Sequence, residues 1–259
     1  MSSRLPTSEQ TAVVTGASSD RIRTEAARRS VIERSGSDRV AIALADFSSL
    51  AEVRRLADEI LTGHSQLDLL VNNAGLMSSK YRFSFDGLEL TFAVNHLAPF
   101  LLTNLLLDRL KASAPARIVT VASEAHRGHR LTLGQLAQPR DWSTLKAYGR
   151  SKLCNILFSC ELEERLKGSG VIATCLQCGG LTELMWRLMK PFMASAEKGA
   201  ETSLFLATVP DPTPFHRGYV IGKSLAQPDP GALDGGLARR LWRPSRRALR
   251  TLVRRRRNQ

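Results

Sequence analysis

Five short runs of aliphatic and β-branched residues punctuate the chain, at Thr11 to Thr15, Val40 to Leu44, Leu67 to Val71, Arg117 to Val121 and Gly170 to Cys175. None shows the apolar–polar alternation of a strand with one wet face, so all five predict strands covered on both faces. Between them, apolar residues recur at helical spacing over Ser48 to Leu61, Asp86 to Leu110, Tyr148 to Leu166 and Lys198 to Ala207. Strand and helix alternate, which predicts an α/β fold with a doubly wound, Rossmann-like parallel sheet. Ligands of such sheets bind beyond the carboxyl ends of the strands, so chemistry is sought in the residues that follow each strand.

After the first run comes Thr15-Gly16-Ala17-Ser18-Ser19, a turn of small residues that lets backbone N–H groups approach a phosphate. After the third comes Asn72-Asn73-Ala74-Gly75, and after the fourth Ala122-Ser123. Further on stands Tyr148-Gly149-Arg150-Ser151-Lys152. On a helix Tyr148 and Lys152 are four apart and leave the same face. An ammonium beside a phenol favours the phenolate and would bring Tyr148 toward the working range of a general acid or base. Ser123 could hydrogen-bond the same substrate oxygen. Asn95 falls mid-helix, where an amide can bond freed carbonyls or hold a water. Taken singly none of these residues is informative; the ordered set is.

With this set the chain resembles the short-chain dehydrogenase/reductases, and within them the retinol-dehydrogenase-like group. The group's style is seen in Asn95-His96-Leu97-Ala98-Pro99-Phe100, Ser123-Glu124-Ala125-His126, Ser151-Lys152-Leu153-Cys154-Asn155 and Ala238-Arg239-Arg240-Leu241-Trp242. The resemblance implies an NAD- or NADP-dependent oxidoreductase that interconverts an alcohol and a carbonyl on a lipophilic small molecule, such as a retinoid, steroid or aldehyde. It implies that Tyr148 exchanges the proton, that Lys152 tunes Tyr148 and holds the nicotinamide ribose, that Ser123 orients the substrate oxygen, and that Asn95 carries a relay water. Thr15, Gly16 and Ser18 would lie at the phosphates, Asn73, Ala74 and Gly75 along the adenosine ribose, Asp46 and Phe47 at the adenine, and Thr182 at the carboxamide. Relatives commonly pair through the helix that holds Tyr148, so a homodimer is implied too.

The chain departs from the family at the phosphate turn, where Ser19 is followed by Asp20-Arg21-Ile22-Arg23 in place of Gly-Ile-Gly. A count sharpens the departure. Helix, strand and helix with their loops need roughly 43 residues between the first strand and the one at Val40, and Ala17 to Arg39 supplies 23. The simplest account is an internal deletion of the first helix and second strand, joining the turn to what would be the second helix, Asp20 to Arg34. The pyrophosphate normally rests on the N-terminus of the lost helix. The lost strand ends in the residue that reads the 2′ position of the ribose, so NAD and NADP remain open. The alternative to the enzyme is therefore an impaired or inactive variant that acts through binding. At Cys178-Gly179-Gly180-Leu181-Thr182 the family has Pro-Gly and usually one more residue before the Thr, which shifts the register of Thr182.

Charge and composition then bound the rest. The 259 residues carry a formal charge of +13. Ten Arg and no acid follow from Arg239 onward, so the other 27 basic residues face 24 acidic ones and the body is nearly neutral. This divides the chain into a single domain over 1–242 and a basic tail over 243–259. The tail is either a frayed, solvated end or a basic amphipathic contact for a membrane surface or acidic partner. No aromatic stacking surface accompanies it, which argues against nucleic acid. Four Cys, and no apolar run after Met1 to Arg4, predict a reducing compartment without a signal peptide, hence a cytoplasmic protein, at most peripheral at a membrane. Cys175-Leu176-Gln177-Cys178 has redox spacing but no second Cys pair or His cluster, and no metal site is expected. His126 and His129 are placed on a loop or substrate rim. Met185 to Met193 is equally an apolar lid or an ordinary amphipathic helix.

Overall fold

A computed structural model describes residues 10–16, 21–177, 196–216, 218–243 and 245. In chain order the elements are β1 (Ala12–Val14), α1 (Arg21–Ser35), α2 (Leu50–Gly63), β2 (Leu69–Asn72), α3 (Leu90–Ala112), β3 (Ala116–Ala122), α4 (Thr144–Leu166), β4 (Val171–Gln177), α5 (Ala196–Thr208), β5 (Tyr219–Ile221), β6 (Ser224–Ala226) and α6 (235–243). Polar caps set the helix starts. Ser49 accepts from the Glu52 N–H at α2 and Ser143 from the Lys146 N–H at α4, each satisfying a donor that the first turn leaves free. Helix α3 is long and apolar enough to cross a membrane, but 78% of its most apolar stretch is buried inside the fold.

The six strands form one sheet in the order β1-β2-β3-β4-β5-β6, parallel except for β6, which pairs with β5 as an antiparallel hairpin. Register sorts the side chains into two faces, because paired residues point the same way. Leu70, Ile118, Ala173 and Cys175 face a large core built with α2, α3 and α4. On the opposite face Val71, Val119, Val121, Leu176 and Val220 pack beneath Leu206 of α5. Arg117 shares that second face and donates to the Leu206 and Ala207 carbonyls at 3.1 and 3.2 Å, a cation at the negative end of α5.

The edge at β1 corrects two expectations. Ala12 and Val14 pair with Leu69 and Val71 and so belong to the second face, yet Val14 is 59% exposed. The expected strand at Val40 to Leu44 does not form. Its carbonyls go instead to arginine side chains: Arg28 Nε donates to Val40 O at 2.6 Å, and Arg55 donates to Leu44 O. A strand exists only through a partner's ladder, and the strand that would join this segment to β1 is missing. Helix α1 does not replace the lost helix over β1, since Thr24 is the only residue it buries and Ile22 stands 84% exposed. The sheet therefore winds from β1 in one direction only.

Helix α6 closes the fold against α3 and α4. The Trp242 ring lies 4.9 Å from Phe100 and 5.8 Å from Phe158, with the Arg165 guanidinium 4.3 Å above it. Packing continues past residue 242, where Ser245 is buried and its Oγ lies 3.1 Å from His96 Nε2.

Candidate active site

The carboxyl end of β1 is tied to the turn after β2. Thr15 Oγ1 donates to Val71 O at 3.2 Å and accepts from the N–H groups of Asn73 and Ala74, each at 3.0 Å. Asn73 Nδ2 returns a bond to Thr15 O at 2.9 Å. Gly16 has φ +82°, and a Cβ there would stand 2.6 Å from Ala74 Cα, so glycine is required by backbone and by space alike. Thr15, Gly16, Asn73 and Ala74 thus form one bonded corner.

Asn95 lies in a π-helical turn, Ala93–Leu97, inserted in α3. A π turn widens the helix by one residue, a distortion common at functional sites. The amide is fully buried. Oδ1 accepts from Leu76 N–H at 2.8 Å, while Nδ2 donates to Leu76 O at 2.9 Å and to Ser151 Oγ at 3.0 Å. Both amide protons are therefore engaged, which leaves no side-chain donor for a relay water. Gly75 sits where α3 and α4 converge, since a Cβ on it would come within 3.3 Å of Asn95 Oδ1 and 3.6 Å of Lys152 Nζ.

On α4, Lys152 is buried, its Nζ donating to Val121 O at 3.1 Å and lying 5.6 Å from the Tyr148 ring centroid. Tyr148 is half-buried, and its backbone carbonyl accepts from Ser151 Oγ at 2.7 Å. Ser123 follows β3 and starts a short 3-10 turn, its Oγ accepting from Ala125 N–H at 3.3 Å. His126 is no rim residue. Fully buried, it meets Ser123 O through Nδ1 at 2.7 Å and accepts the Asp229 N–H on Nε2 at 3.0 Å, which assigns the Nδ1–H tautomer. It braces the backbone of Ser123 against the 227–233 segment.

Two residues of this region escaped sequence reasoning. A Cβ on Gly149 would stand 2.2 Å from the His129 ring and 2.5 Å from Ala125 O, so this glycine lets the loop after Ser123 close on α4. Burial, and then the Arg150 charge, hold the His129 imidazole below its usual range. His96, beside Asn95, is fully buried between Asn155 and Ser245, and burial lowers its pKa from 6.5 to about 4. Gly149 and His96 both stand inside runs that carry the family resemblance, but the contacts that give them their roles come from residues distant in sequence.

Asp46 and Phe47 are used locally. Asp46 Oδ1 accepts from Ser48 N–H at 2.8 Å, and Phe47 packs on the core below α2. Ser18, Thr182, Cys178, the Met185 to Met193 segment and the tail beyond 245 lie outside the described residues. Among the described residues no group of His, Cys, Asp and Glu could hold a metal.

A buried lysine and asparagine converging beside a tyrosine, at the carboxyl ends of a mostly parallel sheet, define an oxidoreductase of the short-chain dehydrogenase class. A sequence profile of the short chain dehydrogenases matches residues 3–191, and the chain belongs to that family. Retinol dehydrogenase 12 of Mus musculus is 36% identical over 236 residues, which are 87% of this chain and 75% of that protein. Retinol dehydrogenase 13 of Homo sapiens is 39% identical over 223 residues, 78% of this chain and 66% of that one. An uncharacterized protein from Mycobacterium paratuberculosis has a similar structure, with a TM-score of 0.72 and 34% identity over 88% of this chain and 81% of that one. The RhlG/NADP active-site complex of Pseudomonas aeruginosa shares the fold at TM-score 0.58 and 22% identity, over 88% and 85% of the two chains.

Proposed function

We propose that the chain interconverts an alcohol and a carbonyl on a lipophilic small molecule with a nicotinamide cofactor. The observation that carries this reading is the convergence of Lys152 and Tyr148 on α4, Nζ 5.6 Å from the ring centroid, beside Gly75 in the turn after β2. A nicotinamide ribose brought against Gly75 would meet Lys152 Nζ as a cationic donor and Asn95 Oδ1 as an acceptor. A bound nicotinamide would supply or accept the hydride. Tyr148 gives its phenolic proton to the carbonyl oxygen in reduction and takes the alcohol proton in oxidation. The Lys152 ammonium beside its ring favours the charged phenolate. Ser123 accepts from Ala125 N–H and so keeps its own hydroxyl proton to donate to the substrate oxygen. Asn95 acts as a positioning residue that ties the turn after β2 to α4 through Ser151. Thr15, Gly16, Asn73 and Ala74 would meet the adenosine side, together with Ser18, Asp46 and Phe47, and Thr182 the carboxamide. A homodimer through α4 would need a surface other than the one Trp242 occupies.

One observation favours a second reading, a binding protein without turnover. A doubly wound sheet binds its ligand where strand order reverses, and here the order runs from β1 to β6 without reversal. Titration with NADPH and with NADH, followed by nicotinamide fluorescence, decides between the two. Saturable binding that Lys152→Ala weakens, with turnover of an aldehyde that Tyr148→Phe abolishes, supports the enzyme. Absence of binding at millimolar cofactor supports the second reading.

A further inference from the structure

The segment from Lys80 to Phe85 reads Lys-Tyr-Arg-Phe-Ser-Phe, and its rings stand in solvent: Tyr81 is 42%, Phe83 53% and Phe85 76% exposed. The Tyr81 ring lies 5.0 Å from Phe83 and stacks 5.5 Å from Trp142, which joins the patch from the loop before α4. This is a built surface rather than a frayed end. Ser84 is buried and its Oγ accepts from the Asp86 and Leu88 N–H groups, Phe83 bridges to Glu89, and Phe85 N–H donates to Ser48 O at 3.0 Å. Trp142 Nε1 donates to the buried Glu89 carboxylate at 3.2 Å. The backbone is pinned while the rings point outward, at a cost in exposed apolar area that marks contact surfaces.

The charges around the rings say what covers them. No ion pair among the described residues engages Lys80, Arg82 or Arg140, whereas Lys146 and Arg150 nearby share Asp141. Aromatic rings interleaved with unpaired cations match the membrane–water interface, where rings sit at headgroup level and cations meet anionic lipid. Two copies apposing this patch across a twofold axis would bring like charges together.

We propose that the Tyr81–Phe85 segment with Trp142 docks the protein on an anionic lipid bilayer. The docking uses no residue of the cofactor site. If the oxidoreductase reading holds, it also turns the loop before α4 toward the lipid from which a lipophilic substrate would come.

The test is co-sedimentation of the full chain with vesicles of phosphatidylcholine alone, or of phosphatidylcholine with phosphatidylglycerol, with no cofactor and no turnover. A protein that docks but never reduces an aldehyde therefore fails the function and not this proposal. The wild type is expected to bind the anionic vesicles. Phe83→Ser with Phe85→Ser should lower the partition coefficient about tenfold or more, and Phe85→Ser alone several-fold. Lys80→Glu with Arg82→Glu should lower binding to the anionic vesicles and leave the neutral ones nearly unchanged. Arg250→Glu with Arg254→Glu, in the tail, should lower it less than the aromatic pair does. The exposed positions should leave the circular dichroism spectrum unchanged. The proposal is overturned if the wild type sediments with neither vesicle, if the aromatic variants bind as the wild type does, or if those variants convert a dimer to a monomer while vesicle binding stays constant.

Discussion

Asn95 and Leu76 exchange two hydrogen bonds, Leu76 N–H to Oδ1 at 2.8 Å and Nδ2 to Leu76 O at 2.9 Å, so that one side chain pairs with a backbone as a strand would. The turn after β2 and the π turn of α3 depend on the same amide. Asn95→Ala leaves both Leu76 groups and Ser151 Oγ short of a partner, and should lower unfolding stability by about 2–4 kcal/mol in a urea titration. Asn95→Asp keeps the acceptor for Leu76 N–H and loses both donors, so its loss should be smaller. Equal losses would show that the bond the Asp variant retains, Leu76 N–H to Oδ1, contributes nothing.

Gly75 and Gly149 should respond in opposite ways to the same methyl group. At Gly75 the Cβ meets Asn95 Oδ1 at 3.3 Å, a tight but adjustable contact, whereas at Gly149 it meets Ala125 O, a backbone atom, at 2.5 Å. Gly75→Ala should keep stability within about 1 kcal/mol and weaken nicotinamide cofactor binding about tenfold or more, because it sets a methyl group where the ribose is proposed to lie. Gly149→Ala should destabilise by about 2–3 kcal/mol through overpacking. Melting curves and cofactor titrations of both variants test the pair.

The buried His96 predicts a pH dependence with a definite sign. Its folded pKa is about 4 against 6.5 for an unperturbed imidazole. Between those values the unfolded chain binds the proton and the folded one does not, so stability is complete above pH 6.5 and falls as pH drops toward 4. The contribution is about 3 kcal/mol across that window. His96→Gln should flatten the dependence of the urea midpoint between pH 6.5 and 4.5. An unchanged slope would assign the acid loss to other groups.

The bare flank of β1 predicts what an insertion would do. A helix and strand taken from a relative and placed after Ser19 would pair with β1 and cover Val14. Both the melting temperature and nicotinamide affinity should rise. If neither does, the count of missing residues does not describe a structural gap.

Much of the molecule is legible without coordinates. Four of the five apolar runs became strands within a few residues of their predicted bounds, and the four helical segments became α2 to α5. These are local properties: period and length of an apolar run decide the element before any partner is known. The spacing of Tyr148 and Lys152 and the 23 residues between Ala17 and Arg39 are equally local, since one follows from helical pitch and the other from counting. Val40 to Leu44 failed as a strand although its composition matches the others, because a strand needs the edge of another strand, and among the described residues none lies beyond β1 to offer one.

The tertiary structure decided what depends on residues far apart. The Asn95 amide has both its protons committed, to Leu76 O and Ser151 Oγ, and only its Oδ1 could accept from a water. His126 is a brace because Asp229, about a hundred positions away, donates to its second nitrogen. Gly149 is required because His129 and Ala125 fold back over α4. The rings of Tyr81, Phe83 and Phe85 became a surface because Ser84 and Glu89 hold their backbone. Sequence by itself determined which residue types are present and which share a helix face or follow a strand. Which of them touch, and therefore which protons and surfaces are open, follows from long-range packing, where the same side chain can be a donor, a wedge or a bare face according to what the chain brings against it.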